Sequence, residues 1–139
     1  MVMDRLFDRV AEKRNPSVVG LDTKLEYLPD EMLQRFDANK PFGSAAELIL
    51  EYNKGLIDAL CDIVPAIKPQ LAYYEMYGWQ GMKAYAETVA YAKQNGMLVI
   101  TDGKRNDIGP TAQAYSAAYL GKTDFPDGNS RVAFGSDML

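Results

Sequence analysis

Asp102, Lys104 and Asp107 fall within the stretch DGKRNDIGPT (102–111), which Thr101 joins to the apolar run MLVI. Side chains of a strand alternate with period two, so if MLVITD is extended, Asp102 and Lys104 share one face, roughly 7 Å apart along it. An ammonium beside a carboxylate at the end of such a run is held ionised by its partner and can stabilise negative charge or deliver a proton. Two more charged residues occupy comparable places, Asp22 closing SVVGLD and Lys68 near the end of DIVPAIKPQ. Taken singly, each reads as a solvated strand end or, for Asp107, a helix N-cap worth about 1 kcal/mol. Together, Lys68, Asp102, Lys104 and Asp107, with Asp22 beside them, make a candidate site, because opposite charges lower one another's desolvation cost.

Composition narrows the chemistry. The chain has no histidine and a net charge of −4, so acid–base work falls to carboxylates, lysines or tyrosines, and no global charge favours nucleic acid. An anionic substrate would need the local positive charge of the lysines. Neither a G-x-G-x-x-G nor a P-loop motif occurs, and a Ser-His pair is impossible. Magnesium on Asp22, Asp102 and Asp107 is disfavoured by the interleaved lysines. A Schiff-base role for Lys68 or Lys104 requires a neutral amine, and flanking carboxylates favour the charged one. The single cysteine, Cys61, excludes an internal disulfide, lacks partners for zinc, and reads as a core residue. Charges interrupt the N-terminal MVMDRLFDRVAEKR, and no apolar run approaches the roughly 18 residues that span a bilayer. The expectation is a cytoplasmic protein with no membrane or nucleic-acid partner.

The elements that would position these residues alternate along the chain. Met3, Leu6, Phe7 and Val10 predict an amphipathic helix over 3–13, stopped before Asn15-Pro16. SVVGLD reads as a buried strand ending at Asp22, and 23–43 mostly as connection with a short helix around 30–35. Ser44 with Glu47 reads as a capping box opening a long helix, with Ala45, Leu48, Tyr52, Leu56 and Leu60 on one face. DIVPAIKPQ reads as a second strand, although Pro65 and Pro69 lack ladder donors. Met82, Tyr85, Val89 and Ala92 mark a helix over 78–95 that Gly96 ends in a left-handed cap. Tyr73, Tyr74, Tyr77 and Trp79 read as core and interface. MLVITD is the third strand. Asp107 or Thr111 would then cap a helix through AQAYSAAYLG, with Pro110 in its first turn. A polar loop covers 123–131, and VAFGSDML reads as the approach to a fourth strand. Strands separated by helices of this length imply an α/β protein with parallel pairing, whose sites lie at the carboxyl ends of the strands.

On these residues the sequence closely resembles the N-terminal half of orotidine 5′-phosphate decarboxylases of the longer bacterial subfamily. The resemblance is carried by VVGLD (18–22), AIKPQLAYYE (66–75) and ITDGKRNDIGPTAQAY (100–115). Asp102, Lys104, Asp107, Ile108 and Thr111 fill every position of the signature D-x-K-x-x-D-I-x-x-T. It implies the N-terminal part of a TIM (β/α)8 barrel, about three to four βα units, in a homodimer using neither metal nor organic cofactor. It also implies conversion of orotidine 5′-phosphate to uridine 5′-phosphate and carbon dioxide, the last step of de novo pyrimidine synthesis. By that resemblance Asp22 and Lys68 contact the ribose hydroxyls, with Lys68 also in the charged network. Asp102 lies beside the substrate carboxylate and Lys104 protonates the carbon it leaves. Asp107, Ile108 and Thr111 reach into the neighbouring subunit's site.

A whole barrel takes about 250 residues and eight strands. The 139 residues therefore read as one incomplete barrel domain over 1–139, cut at Leu139. The phosphate-binding loops that follow the seventh and eighth strands are expected outside it. The family's activity and that of this polypeptide are thus separate questions. Gly103 and Asn106 stand where an apolar residue and a glycine are expected, which bears on loop stiffness. Two alternatives are kept. Magnesium-dependent sugar-phosphate decarboxylases and synthases of the same superfamily share Asp-x-Lys-x-x-Asp, but the continuation from Ile108 to Thr111 argues against them. A non-catalytic half-barrel assembly fragment is the other.

Overall fold

The computed structural model describes Met1–Leu139. Its helices and strands are, in chain order, α1 (Val2–Lys13), β1 (Val18–Leu21), α2 (Asp30–Leu33), α3 (Pro41–Leu60), β2 (Ala66–Pro69), α4 (Ala72–Glu75), α5 (Gly78–Gln94), β3 (Leu98–Val99), α6 (Gly109–Tyr119), β4 (Thr123–Asp124) and β5 (Ser130–Arg131), and all but α4, β4 and β5 fall where the sequence predicts them. A single 3-10 turn, Leu25–Tyr27, precedes α2. β1, β2 and β3 form one parallel sheet in that order, with long helices in the crossovers. The protein is α/β with parallel strands, as alternation predicted.

The register places the site. Val18 pairs with Ala66 and Leu21 with Pro69, while Ala66 pairs with Leu98 and Gln70 bridges Asp102. Asp22, Gln70 and Asp102 therefore emerge at one level, at the carboxyl ends of adjacent strands. β2 is central in spite of its prolines. Their carbonyls still accept, Pro65 O from Leu98 N and Pro69 O from Asp102 N, both at 3.0 Å. Each proline costs the ladder a donor and leaves its acceptor in place.

The core forms where α3 and α5 pack on the sheet. Ile49 and Ile57 of α3 and Tyr85, Val89 and Ala92 of α5 meet Leu21, Ile67 and Val99. Tyr85 gathers the edges of Tyr74, Tyr119 and Phe134 around it, with ring centroids 5.2–6.4 Å away, the arrangement aromatic quadrupoles favour. The predicted approach to a fourth strand is present as a parallel bridge of Met138 to Ile100. It is fastened by Asp137, whose nearly buried carboxylate accepts from Val99 N and pairs with Arg5 and Lys93. Burial of that charge is tolerated because both its oxygens are bonded.

Several expectations are corrected. β1 is an edge strand rather than a buried one: it pairs with β2 on one side only, and of its residues only Leu21 is buried while Val18 is exposed. α3 begins three residues before Ser44, with Pro41 at its first position. Ser44 Oγ accepts instead from Asp37 N at 2.9 Å, tying down the preceding loop. The buried stripe of α3 is Ala45, Ile49, Asn53 and Ile57 rather than Tyr52, Leu56 and Leu60. α4 was not predicted; its four residues are too few to show a helical period. The polar loop holds a small antiparallel ribbon, β4 against β5, closed around the Asp127 turn. Asp127, bonded by Arg131 and by Asn129 N, is held at a pKa of about 2. Cys61 is half-buried at the end of α3, not in the core. Of the aromatic group only Tyr74 is core, and Trp79 is 73% exposed. The apolar positions of α1 form the predicted helix, but Met3 and Phe7 remain exposed. Gly96, at φ +76°, ends α5 as expected. No helix is long and apolar enough to cross a membrane.

Candidate active site

Asp102 closes the β2–β3 pairing and is gripped from two sides. Lys68 Nζ donates to its Oδ2 at 3.0 Å, and Lys104 Nζ to its Oδ1 at 3.4 Å. Lys68 comes from β2, so its reach to Asp102 follows from the register of the neighbouring strand. Lys104 arrives differently from the expectation. Strand pairing stops at Asp102, and Lys104 has a left-handed backbone, φ +47°. A turn, not strand alternation, brings the two side chains together. The hydrogen bond from Lys68, helped by that of Lys104 and opposed by partial burial, lowers the Asp102 pKa below its ordinary 3.8. Two ammonium groups around one carboxylate leave the cluster net positive, suited to an anionic substrate in a chain whose overall charge is negative.

Asp22 stands beyond β1 with its side chain exposed. It lines a groove of about 390 Å³ together with Gln70, Tyr73, Glu75, Lys104 and Arg105. Asp22 and Lys104 thus share one cavity, with the Lys68–Asp102 pair bonded to Lys104 at its edge. Gly103, also in its lining, is buried and has no room for a side chain: an added Cβ would lie 2.7 Å from Leu71 Cδ1. That contact explains a glycine where an apolar side chain was expected.

Asp107, Ile108 and Thr111 do not join this cluster. All three are exposed, Ile108 to 86%, and none lines the groove. Asp107 is not the cap of α6 either. Its Oδ1 accepts from the adjacent Ile108 N, and Ile108 is the capping residue without a side-chain bond. Thr111 lies inside the helix, while Pro110 occupies the first turn as predicted. Asp22, Asp102 and Asp107 accordingly do not converge into a three-carboxylate metal site.

The loop carrying Asp22 is anchored by a network the sequence reading missed. Thr23 Oγ1 donates to Asn53 Oδ1 at 2.6 Å, and Asn53 Nδ2 donates to Tyr74 OH at 2.9 Å and to Thr88 Oγ1 at 3.4 Å. Thr88 Oγ1 in turn donates to Ala84 O at 2.8 Å. Asn53 is fully buried, and burial pushes the Tyr74 phenol pKa strongly up. The available signal was a lone amide at four-residue spacing between Ile49 and Ile57. Gln70, two residues beyond Lys68 and on the same side of its strand by period two, was also overlooked.

Residues 18–125 match the family model described as "Orotidine 5'-phosphate decarboxylase / HUMPS family". The chain is 41% identical over 120 residues to an orotidine 5′-phosphate decarboxylase of Clostridium acetobutylicum, covering 86% of this chain and 40% of the relative. To that of Rhodopirellula baltica it is 46% identical over 121 residues, covering 87% and 38%. To that of Petrotoga mobilis it is 38% identical over 139 residues, covering 98% and 46%. It thus spans less than half the length of these relatives. Among solved structures, a putative orotidine 5′-phosphate decarboxylase from Streptomyces avermitilis superposes with a TM-score of 0.66 at 30% identity, over 86% of this chain and 38% of that one. The UMP synthase of Leishmania donovani gives 0.62 at 28% identity, over 83% and 21%. The three βα units are part of a TIM barrel of this kind.

Proposed function

Because the chain belongs to the orotidine 5′-phosphate decarboxylase / HUMPS family, we propose that its charged cluster serves the decarboxylation of orotidine 5′-phosphate to uridine 5′-phosphate. The observation that carries this reading is the double grip on Asp102, with ammonium groups at 3.0 and 3.4 Å at the strands' carboxyl ends. When the carbon–carboxylate bond breaks, carbon dioxide leaves and the electron pair stays on the ring carbon. The Lys104 ammonium stabilises that developing charge and delivers its proton to the carbon; the amine left behind regains a proton from solvent. Asp102 keeps Lys104 charged and aimed. Lys68 neutralises Asp102 from its other side, so that a substrate carboxylate meets a net positive cluster rather than a bare anion. Asp22 and Lys68 would take the ribose hydroxyls, a role that the place of Asp22 in the groove supports.

The exposure of Asp107, Ile108 and Thr111 supports the rest of the reading. Side chains that leave their own groove are available to a second copy, so the functional unit is a homodimer in which each chain completes its partner's site. No metal or organic cofactor takes part.

The test is an absorbance assay on the purified protein with orotidine 5′-phosphate, with and without chelator. Chelator-insensitive loss of substrate is the expected result. Magnesium-dependent turnover of sugar phosphates instead would move the protein to the other branch of its family. No turnover of either, with an oligomeric mass, would make the chain an assembly element.

A further inference from the structure

Lys104 is one of two non-glycine residues with a left-handed backbone; the other, Arg14, ends a helix. For a residue with a Cβ that conformation is strained and persists only where the surroundings enforce it. The Lys104 side chain does not enforce it, being 79% exposed with Asp102 as its single partner. Its two neighbours do. Gly103 is wedged against Leu71. Arg105, only 24% exposed, is bound three times: Nη1 donates back across Lys104 to Gly103 O at 2.7 Å, Nη2 pairs with Glu75 at the end of α4, and the guanidinium lies over the Tyr115 ring of α6, 5.9 Å from its centroid.

We propose that Arg105 is a positioning residue for Lys104, a clamp that closes the 103–105 turn and fastens it between α4 and α6 so that the ammonium stays on Asp102. The guanidinium fork suits this task as no lysine would, since one planar group bonds a carbonyl and a carboxylate while stacking on an aromatic face. The backbone at 104 is the lever. Release of the clamp lets it return to an ordinary conformation and swings the long lysine stem away from the carboxylate. Glu75 holds the other end, so the ion pair that aims Lys104 joins segments 30 residues apart. The consequence for turnover rests on the reading of Lys104 as proton donor; the placement itself does not.

The experiment follows the Asp102 carboxyl carbon by NMR through a pH titration of the protein in four forms: wild type, Lys104→Gln, Arg105→Met and Glu75→Gln. Loss of Lys104 removes one of the two ammonium groups on Asp102, so its midpoint rises. The clamp predicts a rise of the same size in Arg105→Met, where Lys104 is present but released. Glu75→Gln is decisive in sign. Removing a negative charge from the groove would by itself lower the midpoint or leave it unchanged, and either result overturns the proposal, whereas loosening Arg105 raises it. A wild-type midpoint in Arg105→Met, or one not raised in Glu75→Gln, overturns the proposal. Should Arg105→Met fail to fold, Glu75→Gln still decides it. With orotidine 5′-phosphate, Arg105→Met is expected to lose on the order of 100-fold in kcat with little change in KM, the size of effect a misplacement of about 1 Å produces. A KM increase at unchanged kcat would overturn the proposal by making Arg105 a binding contact. Absence of turnover in the wild type would count against the decarboxylase reading alone, because the titration reads Lys104 placement without it.

Discussion

Lys68 and Asp102, 34 residues apart in sequence, meet at 3.0 Å at the end of two parallel strands, and the pairing leaves the second oxygen of Asp102 free for Lys104. Each oxygen of one carboxylate thus serves a different ammonium, one delivered by strand register and one by a turn.

Lys104→Ala is expected to abolish decarboxylation while leaving the fold intact. The side chain is 79% exposed, so its loss should change stability by no more than about 0.5 kcal/mol. Product formation from orotidine 5′-phosphate beside a urea denaturation curve checks both halves. Wild-type turnover in the variant would remove Lys104 from the mechanism.

The titration of Asp102 has a definite direction. Its folded pKa lies below the ordinary 3.8, so the stabilisation it contributes is complete above that pH and is lost as pH falls through the lower folded value. Lys68→Ala should raise the midpoint more than Lys104→Ala, because the Lys68 hydrogen bond is the larger cause and the shorter contact. Carbon-detected NMR of the side-chain carboxyl between pH 2 and 6 reads it, and a wild-type midpoint at or above 3.8 contradicts the double grip.

Asn53→Ala should destabilise the protein by about 3 kcal/mol, since it strands the Thr23 hydroxyl in a buried site and opens a cavity between α3 and α5. Chemical denaturation measures this directly. A loss below about 1 kcal/mol would mean that the network is repaired by water.

If Asp107 completes the partner's site, mixing Lys104→Ala with Asp107→Ala should restore activity that neither has alone. Random reassortment makes half the dimers mixed, and each carries one site with both residues intact, about a quarter of all sites. Activity measured across mixing ratios decides it; no recovery, with subunit exchange verified by mass spectrometry, places Asp107 in its own chain's site.

Residue type and period determined a good deal unaided. The 3.6-residue recurrence of Met82, Tyr85, Val89 and Ala92 located α5, the apolar runs located three parallel strands, and the charges at their carboxyl ends named the groups that occupy the cluster. These signals are local, because side-chain direction in a helix or strand depends only on neighbours a few residues away. The three matching segments likewise pointed to the family from sequence order alone.

What the tertiary structure alone decided depends on distances between segments far apart in the chain. Which face of α3 is buried was settled by what packs against it, putting Asn53 inside and Tyr52 towards the surface. Within one chain Asp107 is kept apart from Asp102 by a turn that leaves it exposed to solvent. Arg105 reads as an ordinary exposed cation until Glu75 and Tyr115 are brought to it, and Asp137 as a polar residue near the end of the chain until Arg5, Lys93 and the Val99 amide surround it. An isolated charge carries no mark of its partner. Only the register of β1, β2 and β3, set by burial of Leu21, Ile67 and Val99 in one core, brings the separate charges Asp22, Lys68 and Asp102 to one end of a sheet, and only the left-handed turn at 104 returns Lys104 to them.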